Sequence, residues 1–207
     1  MSELCRLCNI LKNKEGKYKD IDKPFLIGAR YYSLVSIGAF VEGWTLIVSR
    51  EHKYNLRHDY SNKEFYEYLQ KHIHVLRNKL GWKNKIIVFE HGANKCDSQT
   101  ACGTSHAHLH VLPFSGSILT EIKKEKKWIT CRWSEVNQVV SDKEYLLYCE
   151  EPERGMNAKV YINIVVIPES QYFRRVIFNK LNLKGSYSYK DDPRIEESTN
   201  TKRVLGG

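Results

Sequence analysis

Apolar and polar residues recur along this chain with two different periods, and the switches between them predict the elements. Residues 30–37, "RYYSLVSI", and 44–49, "WTLIVS", are rich in aromatic and β-branched side chains and flank "GAFVEG", with glycines at 38 and 43. They read as two strands and their connection. Phe65, Leu69, Ile73, Leu76 and Leu80 then repeat at helical spacing, which predicts a helix over residues 62–80. Ser61 with Glu64 has the pattern of a capping box, and Gly81 stands where a C-terminal cap belongs. "KIIVFEH", residues 85–91, is the next strand, and a polar stretch with two glycines, "GANKCDSQTACGTS", runs from it to position 105.

That stretch leads into "SHAHLHVLP", residues 105–113, where His106, His108 and His110 alternate with Ala107, Leu109 and Val111. An extended chain has a period of two, so the imidazoles project from one face and the apolar side chains from the other. His108 and His110 would stand about 6.6 Å apart along the strand, on one face. Beyond them the pattern predicts helices near 115–126 and 134–140, strands near 144–149 and 158–167, and a helix from Pro168 carrying Tyr172, Phe173, Val176 and Ile177. From Lys184 onward no period is visible, which predicts an irregular tail. The fold class is therefore α+β: an antiparallel sheet with a packed helix, then a C-terminal α/β extension. The divisions expected are 1–115, 116–183 and 184–207, with no internal repeat.

Composition narrows the function. A chain of 207 residues, 42% hydrophobic, can bury one substantial core. It has no run of about 18 apolar residues and no signal-peptide core, so a soluble, cytoplasmic protein with no membrane partner is expected. The excess of 33 basic over 24 acidic residues, formally +9, favours anionic partners without choosing among nucleotides, polyphosphates and nucleic acid. Six cysteines in such a chain are expected to be reduced. Cys5 and Cys8 form a C-x-x-C pair with no strand before them, which favours metal binding over redox chemistry. His72 and His74, on the predicted helix, read as exposed or packed, and Arg174 with Arg175 as surface charge.

The order of C-x-x-C, a strand pair ending "LIVSREH", a polar loop and "HAHLHVL" resembles the histidine-triad superfamily of nucleotide hydrolases and transferases over residues 5–115. The resemblance implies a histidine-triad-like catalytic unit over 1–115. It implies that His108 attacks the α-phosphorus of a nucleotide and that His110 binds or protonates a bridging or leaving-group oxygen. Transferase branches tend to carry Gln at the His110 position, so hydrolysis is expected, with a transferase or phosphorylase as the alternative. In zinc-bearing members the first triad histidine joins the cysteine pair, which implies a structural Zn²⁺ on Cys5, Cys8, His52 and His106. His91 is the rival fourth ligand, or else lines the phosphate site where relatives commonly have Asn. Gly103, Thr104 and Ser105, just before the reactive strand, are candidate phosphate contacts or bond only within their loop. A nucleotide or other phosphate-containing small molecule is the expected partner, and many members form homodimers. A different reading, a nucleic-acid-end processor or RNA-associated protein, predicts a contiguous basic groove leading to His108.

Overall fold

The computed structural model describes residues 5–12, 16–83, 85–101 and 105–206. In chain order the elements are α1 (Arg6–Ile10), β1 (Leu26–Ile27), β2 (Tyr31–Val35), β3 (Thr45–Ser49), α2 (Lys63–Leu80), β4 (Ile86–Gly92), β5 (His108–Pro113), α3 (Leu119–Glu125), β6 (Ile129–Cys131), α4 (Val136–Val140), β7 (Tyr145–Glu150), β8 (Val160–Ile164), α5 (Tyr172–Lys180) and α6 (Ile195–Gly206). The strands form one eight-stranded sheet in the order β1-β2-β3-β5-β4-β7-β8-β6, every neighbouring pair antiparallel. This is the α+β architecture that the periodicities predict. The strands after residue 115 continue the same sheet: β7 pairs with β4 over six residues, from Ile87↔Glu150 to Gly92↔Tyr145.

Register assigns the two faces. Val48 lies opposite His108 and Leu46 opposite His110, while Phe89 lies opposite both His110 and Tyr148. Directly opposed residues share a face, so the histidines stand with Leu46, Val48 and Phe89. On that side Leu7 and Ile10 of α1 cover Tyr32, Leu34, Leu46 and Val48, and Phe173 and Ile177 of α5 pack with Phe89 and Tyr148. His108 and His110 lie between these two coverings. The opposite face, with Ile47, Leu109, Val111, Val88 and Leu147, is buried by α2.

α2 forms where the helical spacing puts it, but Asn62, not Ser61, is its N-cap. The Asn62 side chain accepts from Glu64 N at 2.9 Å, whereas Ser61 Oγ donates back to His58 O. At the other end Gly81 adopts the left-handed φ of 66° expected of a glycine cap. His72 of α2 is completely buried, its ring bridging Ser33 Oγ at 2.7 Å and Thr45 Oγ1 at 2.8 Å. Burial pushes its pKa down to about 3. The unfolded chain therefore takes up a proton near pH 6.5 that the folded chain refuses, and this stabilisation is complete above that pH and lost as the pH falls below it. At pH 5 the loss from His72 alone is about 2 kcal/mol. His72→Gln, neutral throughout, is expected to lose correspondingly less stability than the wild type between pH 7 and 5 in urea titrations. Equal losses would contradict a neutral His72.

The expected irregular tail contains α6. Its buried residues Ser198, Thr201 and Leu205 recur at helical spacing, but two of the three are hydroxyl-bearing, so a hydrophobic period does not reveal them. Ser198 Oγ donates to Ser36 O at 2.8 Å, and Gly43 N donates to Thr201 Oγ1 at 2.9 Å. The tail thereby supports the connection between β2 and β3 from outside.

Candidate functional site

The histidine strand is shorter than expected. β5 starts at His108, because its ladder with β3 ends at the Val48↔His108 pair. His106 lies before it, in a segment held by Ala107 N donating to Lys53 O at 2.7 Å and Ser49 N donating to Ala107 O at 3.2 Å. Its ring packs 5.0 Å from that of His52.

His106 faces the N-terminus. Cys5 Sγ is 3.4 Å from His106 Nδ1, Cys8 Sγ is 3.5 Å from the same atom, and Cys8 Sγ is 3.3 Å from His52 Nδ1. The four donor atoms all lie within 4.8 Å of one another. A tetrahedral zinc with ordinary bond lengths separates sulfur from nitrogen by roughly 3.5 Å, so the spacing fits such an ion. The tautomer fits as well: His106 Nε2 donates to Ser49 O at 2.7 Å, leaving the Nδ1 lone pair toward the thiols. Burial keeps this imidazole neutral, with a pKa lowered to about 4. Burial and the neighbouring Cys5 raise the Cys8 thiol to about 11, a cost that a bound cation would relieve. His91 takes no part in this cluster.

His108 is half-buried at the start of β5. Its Nδ1 donates to His106 O at 2.7 Å, which places the proton on that nitrogen and the lone pair on Nε2. No described residue hydrogen-bonds to His108 Nε2. Burial lowers its pKa, the bond to His106 O opposes that shift, and Arg6 adds to it. Both the hydrogen bond and the direction of the shift favour the neutral ring, protonated on Nδ1.

His110 stands beside it, ring centroids 5.0 Å apart. Its ring stacks on Phe89 at 4.4 Å, and its Nδ1 accepts a hydrogen bond from Trp44 Nε1 at 2.9 Å. Burial, then His108, His91 and Arg174, hold its pKa well below the usual imidazole value. His91 projects from β4 on the same face, packed edge-on against Phe173 at 5.2 Å and 6.4 Å from the His110 ring. Its Nε2 is buried without a partner among the described residues, and burial, His108 and Arg174 lower its pKa to about 3. Of the two positions open to His91 from the sequence, the one it occupies is beside the histidine pair.

Two contributors are not evident in the sequence. Arg174 is only 4% exposed, not surface charge: Nε donates to Tyr187 O at 3.0 Å, and the guanidinium lies 4.5 Å from the Phe40 ring and 5.1 Å from that of Trp44. Arg175 next to it is the surface residue, paired with Glu125 and Glu169 at 2.7 Å each. Trp44 itself is completely buried. It continues the apolar alternation of β3 two residues before Leu46, so its face is legible, whereas its bond to His110 is not. Of the expected phosphate contacts, Gly103 and Thr104 lie outside the described residues. Ser105 Oγ accepts from Asp97 N at 3.2 Å and so closes its own loop.

No protein-family profile matches the chain, and no curated protein sequence matches it. Among solved structures it is similar to a HIT (histidine-triad) family hydrolase from Clostridium thermocellum, with 20% identity and a TM-score of 0.41 over 55% of this chain and 93% of that one. Among the described residues, no helix is long and apolar enough to cross a membrane.

Proposed function

We propose that this protein hydrolyses a nucleoside phosphate derivative through a covalent nucleotidyl-histidine intermediate on His108. The observation that carries this reading is the 2.7 Å bond from His108 Nδ1 to His106 O, which presents a fixed Nε2 lone pair beside a second, neutral imidazole. In the first step Nε2 attacks the α-phosphorus. A P–N bond forms, the bond from phosphorus to the leaving group breaks, and its electron pair departs with that group. The His106 carbonyl stabilises the positive charge that the ring acquires. In the second step water attacks phosphorus, the P–N pair returns to Nε2, and a nucleoside monophosphate is released as the water gives up a proton to bulk solvent. His110 Nε2–H donates to a phosphoryl oxygen. The chain's net positive charge favours such an anionic substrate over a neutral one.

Cys5, Cys8, His52 and His106 would hold a zinc ion as a saturated, four-coordinate structural centre. Its role is to staple α1 and the segment after β3 to the residue whose carbonyl orients His108.

Turnover of a diadenosine polyphosphate in ¹⁸O-water tests the reaction. The expected result is a single labelled oxygen in the nucleoside monophosphate and none in the other product. Label in the other product, or unlabelled transfer to added inorganic phosphate, would rule hydrolysis at the α-phosphorus out.

A further inference from the structure

We propose that Trp44 locks His110 as a hydrogen-bond donor that cannot act as a proton donor, which restricts the site to phosphoric anhydrides, whose leaving group departs as a stable anion. This rests on His108 as the nucleophile.

An indole N–H can only donate, so the Trp44 Nε1 to His110 Nδ1 contact of 2.9 Å requires a lone pair on Nδ1 and places the proton of a neutral His110 on Nε2. For His110 to give that proton to a leaving group and remain neutral, Nδ1 would have to gain a proton. Nδ1–H would then confront the indole N–H, donor against donor. The indole has no room to turn aside. It is fully buried, packed edge-on against Phe40 at 5.5 Å and Phe89 at 5.8 Å, with the Arg174 guanidinium against its ring. Arg174 is held in turn by the carbonyls of Tyr187 and Gly38. The titratable or charged groups around His110 are His108 on β5, His91 on β4 and Arg174 on α5, and each disfavours a second positive charge there.

The consequence for the substrate follows from the proton balance. When His108 Nε2 attacks an anhydride, the P–O bond breaks and its electron pair leaves on a phosphate or polyphosphate oxygen, which needs no proton. When it attacks a phosphoramidate, the P–N pair leaves on an amine nitrogen that must be protonated as the bond breaks. His110 is barred from that task by Trp44. His108 uses its only proton on His106 O, and His91 is buried beside Arg174 in its neutral form. Arg174 and Trp44 are thus positioning residues that select the leaving group through His110.

Two measurements on the full-length, metal-loaded protein test this. Nitrogen NMR of histidine-labelled wild type should show His110 with Nε2 protonated and Nδ1 bare between about pH 5.5 and 8, and Trp44→Phe should abolish that preference. A protonated Nδ1 in the wild type would overturn the proposal, and that reading needs neither turnover nor a folded variant. Kinetically, a glutamine amide can accept from Trp44 through Oε1 and donate through Nε2. His110→Gln should therefore recover kcat on a dinucleoside polyphosphate by about 100-fold over His110→Ala, and wild-type kcat/KM should favour that anhydride over a nucleoside phosphoramidate by at least about 100-fold. A glutamine variant as slow as the alanine one, or equal use of the two substrates, would overturn it. Failure of His108 as nucleophile would show separately, as full activity in His108→Ala.

Discussion

His108→Ala is expected to lose roughly 10⁴- to 10⁶-fold in kcat while the protein stays folded, the scale seen when a covalent nucleophile is removed from a catalytic unit. The loss is large because no neighbour can substitute. His110 has Nδ1 engaged by Trp44 and a proton on Nε2, and His91 is walled by Phe89 and Phe173. The structural cost is small by comparison. His108 is half-buried and makes one described side-chain bond, to His106 O, so deleting it costs about 1 kcal/mol. Steady-state rates and thermal melts on the same preparation separate the two effects. A variant with a wild-type melt and a wild-type rate would remove His108 from the chemistry.

Loss of the metal cluster is expected to act in the opposite proportion, on stability first. Cys8→Ser should reduce bound zinc from about one per chain to a small fraction, because the serine hydroxyl does not supply the thiolate that the site uses. Losing a ligand set that ties residues 5–8 to residues 52 and 106 should cost about 4 kcal/mol, or roughly 10 °C in melting temperature for a chain of this length. Activity should fall as a consequence, since His106 belongs to both sites: its ring faces the cysteines and its carbonyl orients His108. Cys96→Ser is the matched control, because Cys96 is exposed and outside the cluster. Elemental analysis showing unchanged zinc in Cys8→Ser, or a melt no lower than that of the control, would contradict a structural metal centre on these residues.

The legible parts of the chain are those governed by local period and spacing. The helical recurrence of Phe65, Leu69, Ile73 and Leu76 and the cap at Gly81 found α2, and alternation found the strands that carry the site. The resemblance to the histidine-triad superfamily, rather than spacing alone, pointed to Cys5, Cys8, His52 and His106, which do converge within 4.8 Å. What escaped depends on partners distant in sequence. The environment of Arg174 is built by Gly38, Phe40, Trp44 and Tyr187, so neither its burial nor its function as a support shows in "FRRV". The docking face of α6 uses hydroxyls to satisfy backbone groups, which a hydrophobic period cannot detect. His110 illustrates a finer gap. Its residue type admits either proton transfer or hydrogen-bond donation, and the choice between them rests on one indole nitrogen 66 residues earlier in the chain.

The most direct measurement of the central claim is peptide mass spectrometry on protein quenched in acid-free denaturant during turnover of an adenylated or guanylated substrate. The account predicts a mass increase of one nucleoside monophosphate on the peptide containing residues 105–113, localised to His108 and absent from His108→Ala. An adduct on any other residue, or rapid turnover with no adduct trapped at any time, would contradict it.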